Sequence, residues 1–174
     1  MRKPLDLARL RSFLTALGRV GQGAATAYLV GGASAVVEGW RPTTLDLDLR
    51  LEPERDDLLR AISHLKEEHQ VNVEFASPLD FLPELPGWRD RSPFVNQEGP
   101  LTVRQFDFYS QALAKLERGF DQDISDVRAM VERGLITISE LERLFEAITG
   151  DLYRFPTVDE AALRAALRRL SSGE

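Results

Sequence analysis

Residues 44–51 read Thr44-Leu45-Asp46-Leu47-Asp48-Leu49-Arg50-Leu51. Leucine alternates with polar residues one for one, the period of a β-strand with one face on a core and the other turned away. Pro53 lacks a backbone donor and ends the strand. The polar residues are the informative part. Aspartate is a poor strand former, yet two stand in mid-strand and on one face, with α-carbons about 6.5–7 Å apart. Unfavourable local choices of this kind tend to mark sites. The plain alternative is an amphipathic strand whose outer face is merely acidic.

Working outward, residues 26–30 (Thr-Ala-Tyr-Leu-Val) read as a buried strand that ends at Gly31-Gly32. Residues 33–38 then read as a short helix closed by Gly39. Glycine lets the backbone approach a ligand, and free N–H groups at a helix start attract phosphate. Downstream, residues 54–69 form an amphipathic helix and residues 71–75, Val-Asn-Val-Glu-Phe, alternate again. If this strand pairs with 44–51 over the same core, Asn72 and Glu74 join the acidic face. Asp46, Asp48 and Glu74 then repel one another, which raises carboxyl pKa values unless a cation is bound. Oxygen ligands of this kind suit Mg²⁺, with Mn²⁺ as its substitute. Two-metal phosphoryl-transfer sites need ions about 3.5–4 Å apart, and an Asp-x-Asp pair on a rigid strand suits that spacing.

The remaining chain is mostly helical. Leu7, Leu10, Leu14 and Leu17 predict a helix over 5–20. Residues 78–93 hold four prolines and read as an irregular connection or a partial lid. Residues 93–97 and 101–106 suit a hairpin, and helices follow over 107–118, 123–133, 138–149 and 158–170. The expected fold class is α+β: a small mixed sheet flanked by helices over residues 1–106, then a helical C-terminal region over 107–174 packed on it.

Bulk properties exclude several alternatives. The 174 residues are 43% hydrophobic and 29% charged with a net charge of −6, so nothing points to a basic nucleic-acid-binding surface. There is no cysteine, hence no disulfide scaffold and no thiolate zinc site. No run approaches the roughly 18 apolar residues of a membrane span, and no secretory leader is recognisable. A cytoplasmic protein with no membrane contact is expected. Arg164, Arg168 and Arg169 near the end read as cations suited to a helix C-terminus.

Gly31-Gly32-Ala33-Ser34, followed by Arg41-Pro42-Thr43-Thr44-Leu45-Asp46-Leu47-Asp48, resembles the nucleotidyltransferase superfamily related to DNA polymerase beta. That pattern is an apolar strand, Gly-Gly or Gly-Ser, a short helix, and a hydroxyl residue just ahead of an Asp-x-Asp strand. The Arg-x-x-Thr lead-in and the helical second half look most like the abortive-infection (AbiEii-like) and uncharacterised bacterial members. The resemblance implies Asp46, Asp48 and Glu74 as catalytic metal ligands and Gly31 and Gly32 as the phosphate turn. Ser34 and Thr44 lie where they can serve the nucleotide, and Arg41 suits either binding its phosphate or holding the loop. Many members carry Ser directly after the first glycine; here that place is Gly32, and the nearest hydroxyl is Ser34. Lys115, on a helix followed by an Asp-rich helix start, looks like the related toxins, which implies contact with the triphosphate as a point charge; a solvated lysine is the plain alternative.

Other chemistry has plainer readings. Asp123 and Asp126, three apart, read as a helix N-cap. His64 and His69 are five apart, off a common helical face, so a histidine metal pair is not expected. Trp88, Arg89 and Arg91 suit loop packing better than stacking on a base. Two functions remain in play: transfer of a nucleotidyl group from a nucleoside triphosphate to an RNA end, protein or small-molecule hydroxyl, within a toxin–antitoxin or phage-defence setting, or a weakly active or silent module acting as an antitoxin or regulatory partner.

Overall fold

The computed structural model describes residues 3–174. They divide into two compact units. The first takes the chain through Ser77 and again from Ser92 to Phe106; the second takes Pro78–Arg91 and Asp107–Glu174.

The first unit contains α1 (Leu7–Val20), β1 (Ala25–Val30), α2 (Gly31–Glu38), β2 (Asp46–Glu52), α3 (Asp56–Glu68), β3 (Asn72–Phe75), β4 (Phe94–Glu98) and β5 (Leu101–Gln105). The five strands form one mixed sheet in the order β3-β2-β1-β5-β4. β1 runs antiparallel to β2 and parallel to β5, β3 is parallel to β2, and β4 closes a hairpin on β5. The alternation of 44–51 is realised: Leu47, Leu49 and Leu51 are at most 2% exposed, while Asp46, Asp48 and Arg50 point away from them and stay partly exposed. The leucine face packs with Leu10, Phe13, Leu14 and Leu17 of α1 and with Leu58, Ile62 and Leu65 of α3. Each such buried side chain contributes about 1.5–3 kcal/mol of apolar burial, so the heptad-like leucines of α1 decide which face of the sheet is covered. Asp6 caps α1 by accepting from the Arg9 N–H at 2.9 Å. His69 packs edge-on against Phe13 with ring centroids 5.8 Å apart, and His64 pairs loosely with Glu68 at 3.8 Å.

α2 begins at Gly31, two residues ahead of the start predicted from sequence, and ends at Gly39 in the left-handed conformation. The glycines belong to the helix's first turn rather than to a loop before it. Gly31 has φ of +60°, which other residues rarely adopt.

The second unit contains α4 (Trp88–Arg91), α5 (Phe108–Arg118), α6 (Asp121–Glu132), α7 (Ile138–Ile148) and α8 (Glu160–Ser172), with 3₁₀ turns at Pro78–Asp80 and Thr149–Arg154. Asp107 caps α5, accepting from the backbone N–H groups of Tyr109 and Ser110, and takes two further bonds from the Arg91 guanidinium at 3.1 and 2.8 Å. The proline-rich segment is therefore anchored to the helices by Arg91. Trp88 is 1% exposed, donates to Glu84 at 2.6 Å and carries Arg89 on its ring at 4.4 Å, a packing role. Arg164 bonds Glu146 and Glu160 and stacks on Phe145 at 5.1 Å. Among the described residues no helix is long and apolar enough to cross a membrane.

Candidate active site

The register of β2 and β3 builds the site. Asp46 lies opposite Asn72, and Asp48 opposite Glu74. In a parallel pair, facing residues share a side of the sheet, so all four project from the face that α1 and α3 leave alone. On the other flank of β2, Val30 faces Asp48 and Tyr28 faces Arg50. β1 thus delivers the chain straight from the acidic face into the first turn of α2.

Backbone and side chains divide the acids into two groups. Asn72 donates one amide nitrogen to Asp46 Oδ1 at 2.6 Å and to Glu74 Oε1 at 3.2 Å, joining those two carboxylates through a neutral group. Asp48 lies instead against the glycine turn: a Cβ added to Gly31 would come within 2.9 Å of Asp48 Oδ2. Among the described residues no three His, Asp or Glu side chains converge closely enough to hold a metal ion. The expected crowding of three acids is therefore present in the backbone register but not in the side chains, because Asn72 draws two of them one way and the glycine turn receives the third. The donor set, all carboxylate oxygen on two adjacent strands, fits a hard divalent cation such as Mg²⁺.

Gly32 meets Thr44. A Cβ at Gly32 would lie 2.7 Å from Thr44 Cβ and nearer still to its Oγ1, with Arg41 Nη1 at 3.5 Å. The Thr44 side chain fills the space a residue-32 side chain would need, so the hydroxyl beside the turn comes from the strand entrance. A two-way bridge with Leu5, at 2.7 and 3.0 Å, holds Thr44 there. Its hydroxyl donates to the Asp46 carbonyl at 3.2 Å.

Ser34 is placed differently. It is fully buried, and its hydroxyl donates to Gln105 Oε1 at 2.6 Å. Gln105 is itself buried and donates to Glu38 at 3.0 Å, so it ties the middle and the C-terminal end of α2 to the end of β5. Sequence reasoning missed Gln105, a polar residue at a core-facing position of β5, which is itself the available signal. It noted Asn72 on the acidic face without giving it a role.

Arg50 continues the polar face of β2. Its Nη2 reaches Glu52 at 3.4 Å, and its Nε is buried without a hydrogen-bond partner.

Lys115 belongs to the second unit. It is buried and paired with Asp126 at 2.7 Å and Asp123 at 3.6 Å, and Arg118 donates to Asp123 at 2.8 Å. The N-cap reading of Asp123 and Asp126 is corrected here: α6 starts at Asp121 after Phe120, and both acids are buried ion-pair partners on the inner side of the helix.

The sheet thus sets a glycine turn and an Asp-x-Asp strand side by side. The family described as "Nucleotidyltransferase of unknown function (DUF6036)" matches residues 6–162, and the chain belongs to it. Among solved structures, an antigenic nucleotidyltransferase-like protein from Paracoccidioides brasiliensis is similar at 15% identity over 95% of each chain, with a TM-score of 0.48. No curated protein matches the chain.

Proposed function

We propose that the protein transfers a nucleotidyl group from a nucleoside triphosphate to an acceptor hydroxyl, with Mg²⁺ or Mn²⁺ as cofactor. The observation that carries this reading is the register that seats Asp46, Asp48 and Glu74 on two neighbouring strands beside the first turn of α2. Membership of a nucleotidyltransferase family supports it. In this reading Asp46, Asp48 and Glu74 hold the metal, whose charge when bound neutralises the phosphates and acidifies the attacking hydroxyl. Gly31 and Gly32 let the backbone approach the triphosphate, and Thr44 and Arg41 flank it with a hydroxyl and a cation. Glu74, the most exposed of the acids, takes the acceptor's proton. The acceptor oxygen bonds to the α-phosphorus, the bond to the bridging oxygen breaks, and pyrophosphate leaves. Positioning and charge carry the rate. Ser34 contributes by fixing α2, and Lys115 by holding α5 to α6. An RNA end, a protein or a small-molecule hydroxyl each suits the acceptor role, and the sequence resemblance to AbiEii-like members supports a toxin–antitoxin or phage-defence setting.

Incubation with labelled triphosphates and total RNA or lysate tests the proposal. Wild type is expected to label an acceptor, and Asp46→Asn or Asp48→Asn to abolish labelling while leaving Tm unchanged or higher. A large loss of Tm in either variant would mark these acids as structural. One observation favours the second reading, a silent antitoxin or regulatory module: the three acids do not converge as they stand. Titration calorimetry of ATP, CTP, GTP and UTP with Mg²⁺ separates the two, since silence from all four supports the module.

A further inference from the structure

We infer that Asn72 is a neutral placeholder for the cation: its amide keeps Asp46 and Glu74 assembled until a divalent ion displaces it, and so sets how tightly the site takes metal. The inference rests on the metal-site reading above. It starts from position. Asn72 is the strand partner of Asp46 and stands two residues before Glu74, on the same face, so its short side chain enters between the two acids. Its amide has two hydrogens, and the one nitrogen reaches both carboxylates, at 2.6 Å and 3.2 Å. The shorter contact is at the tight end for a charge-assisted hydrogen bond. Both amide hydrogens are thus committed to the acids.

A bridging nitrogen with two donors does part of what a cation does: it offers positive dipole to two carboxylates that otherwise repel. It does so without charge. Arg50, two residues beyond Asp48, reaches Glu52 at 3.4 Å, and Asp48 lies on Gly31. A divalent ion that bridges Asp46 Oδ1 and Glu74 Oε1 competes with Asn72 for the space between them. Binding is therefore an exchange of two N–H···O bonds for metal–oxygen bonds, and the apparent affinity carries the cost of releasing the amide. Asparagine is suited to this role. Alanine would leave the acids unheld, and aspartate would add a fourth charge that only metal can relieve.

The test uses the full chain as wild type, Asn72→Ala and Asn72→Asp, with Mn²⁺ alone as probe. Calorimetry or Mn²⁺ EPR gives affinity, and thermal melts in EDTA and in Mn²⁺ give the coupling to stability. Both variants are expected to melt lower than wild type in EDTA, and to recover most of that loss in Mn²⁺. Mn²⁺ should bind Asn72→Ala at least about ten-fold more tightly than wild type, because two hydrogen bonds to carboxylates no longer have to be broken. Asn72→Asp should bind at least as tightly as Asn72→Ala. Equal affinity in wild type and both variants, or Tm losses that Mn²⁺ does not repair, would reduce Asn72 to a structural strut. Weaker binding in Asn72→Ala would make it a supporting ligand instead. Wild type that binds while the variants show either pattern overturns this inference alone. Silence from all three proteins at millimolar Mn²⁺ overturns the metal-site reading together with it.

Discussion

At the scale of the residue, the site depends on side chains that are absent as much as on those present. Gly32 can have no side chain because Thr44 fills that space, with Thr44 Cβ 2.7 Å from where a Cβ would sit. Gly32→Ala is expected to destabilise the fold by about 1–3 kcal/mol, the usual cost of overpacking. Thr44→Gly should return part of the loss when combined with it, and a double-mutant cycle by urea unfolding measures the coupling. Additive losses would mean that the two residues do not compete for one space. Two hydroxyls were expected near the turn, those of Ser34 and Thr44. The structure puts Ser34 on Gln105 and Thr44 at the turn, a division that only the closing of the chain on itself reveals.

At the scale of the element, α5 and α6 are joined by buried charge. Lys115 lies 2.7 Å from Asp126, and Asp123 is shared between Lys115 and Arg118. Lys115→Ala leaves the Asp126 carboxylate buried without its cation and is expected to cost about 3–5 kcal/mol. Lys115→Met with Asp126→Leu should cost much less, since no lone charge remains. Equal losses in denaturant would contradict the pairing. Acid acts on the same group. Burial pushes the Asp123 carboxyl up, but the bonded Arg118 guanidinium, aided by Lys115, outweighs it and holds the group below its ordinary 3.8. A depressed folded-state value means stability that is present above the ordinary carboxyl range and lost as pH falls through the lowered one. Melting of wild type should thus fall with pH in that acid window, and Asp123→Asn should flatten that part of the curve. The elements themselves were largely legible. The one-for-one alternation of 44–51 and the leucine spacing of 5–20 are local patterns that survive folding. The β-strand order was not, because a parallel β2–β3 pair beside an antiparallel β1–β2 pair depends on where α3 carries the chain. Residues 78–91 carry no periodicity, so their allegiance to the helices could not be read. For Asp123 and Asp126 the signal was available: they share a helical face with Val127 and Met130, and Lys115 and Arg118 stand at the same three-residue spacing in α5.

At the scale of the whole molecule, the division of the chain is not a single cut. A boundary at 106/107 strips Pro78–Arg91 from the unit to which it belongs. In a fragment of residues 1–106, Leu82, Leu85 and Trp88, now at most 3% exposed, would lose the helices of that unit. The fragment is expected to aggregate or to bind a hydrophobic dye. A fragment in which residues 78–91 are replaced by a short Gly-Ser linker should stay monomeric by size-exclusion chromatography. If both behave alike, the segment is indifferent to its company. The interleaving also imposes a schedule on synthesis. As the chain leaves the ribosome, the sheet can close once Gln105 has emerged, but the helical unit has by then received only its first piece. That piece must wait, apolar side outward, until α5 and its successors arrive.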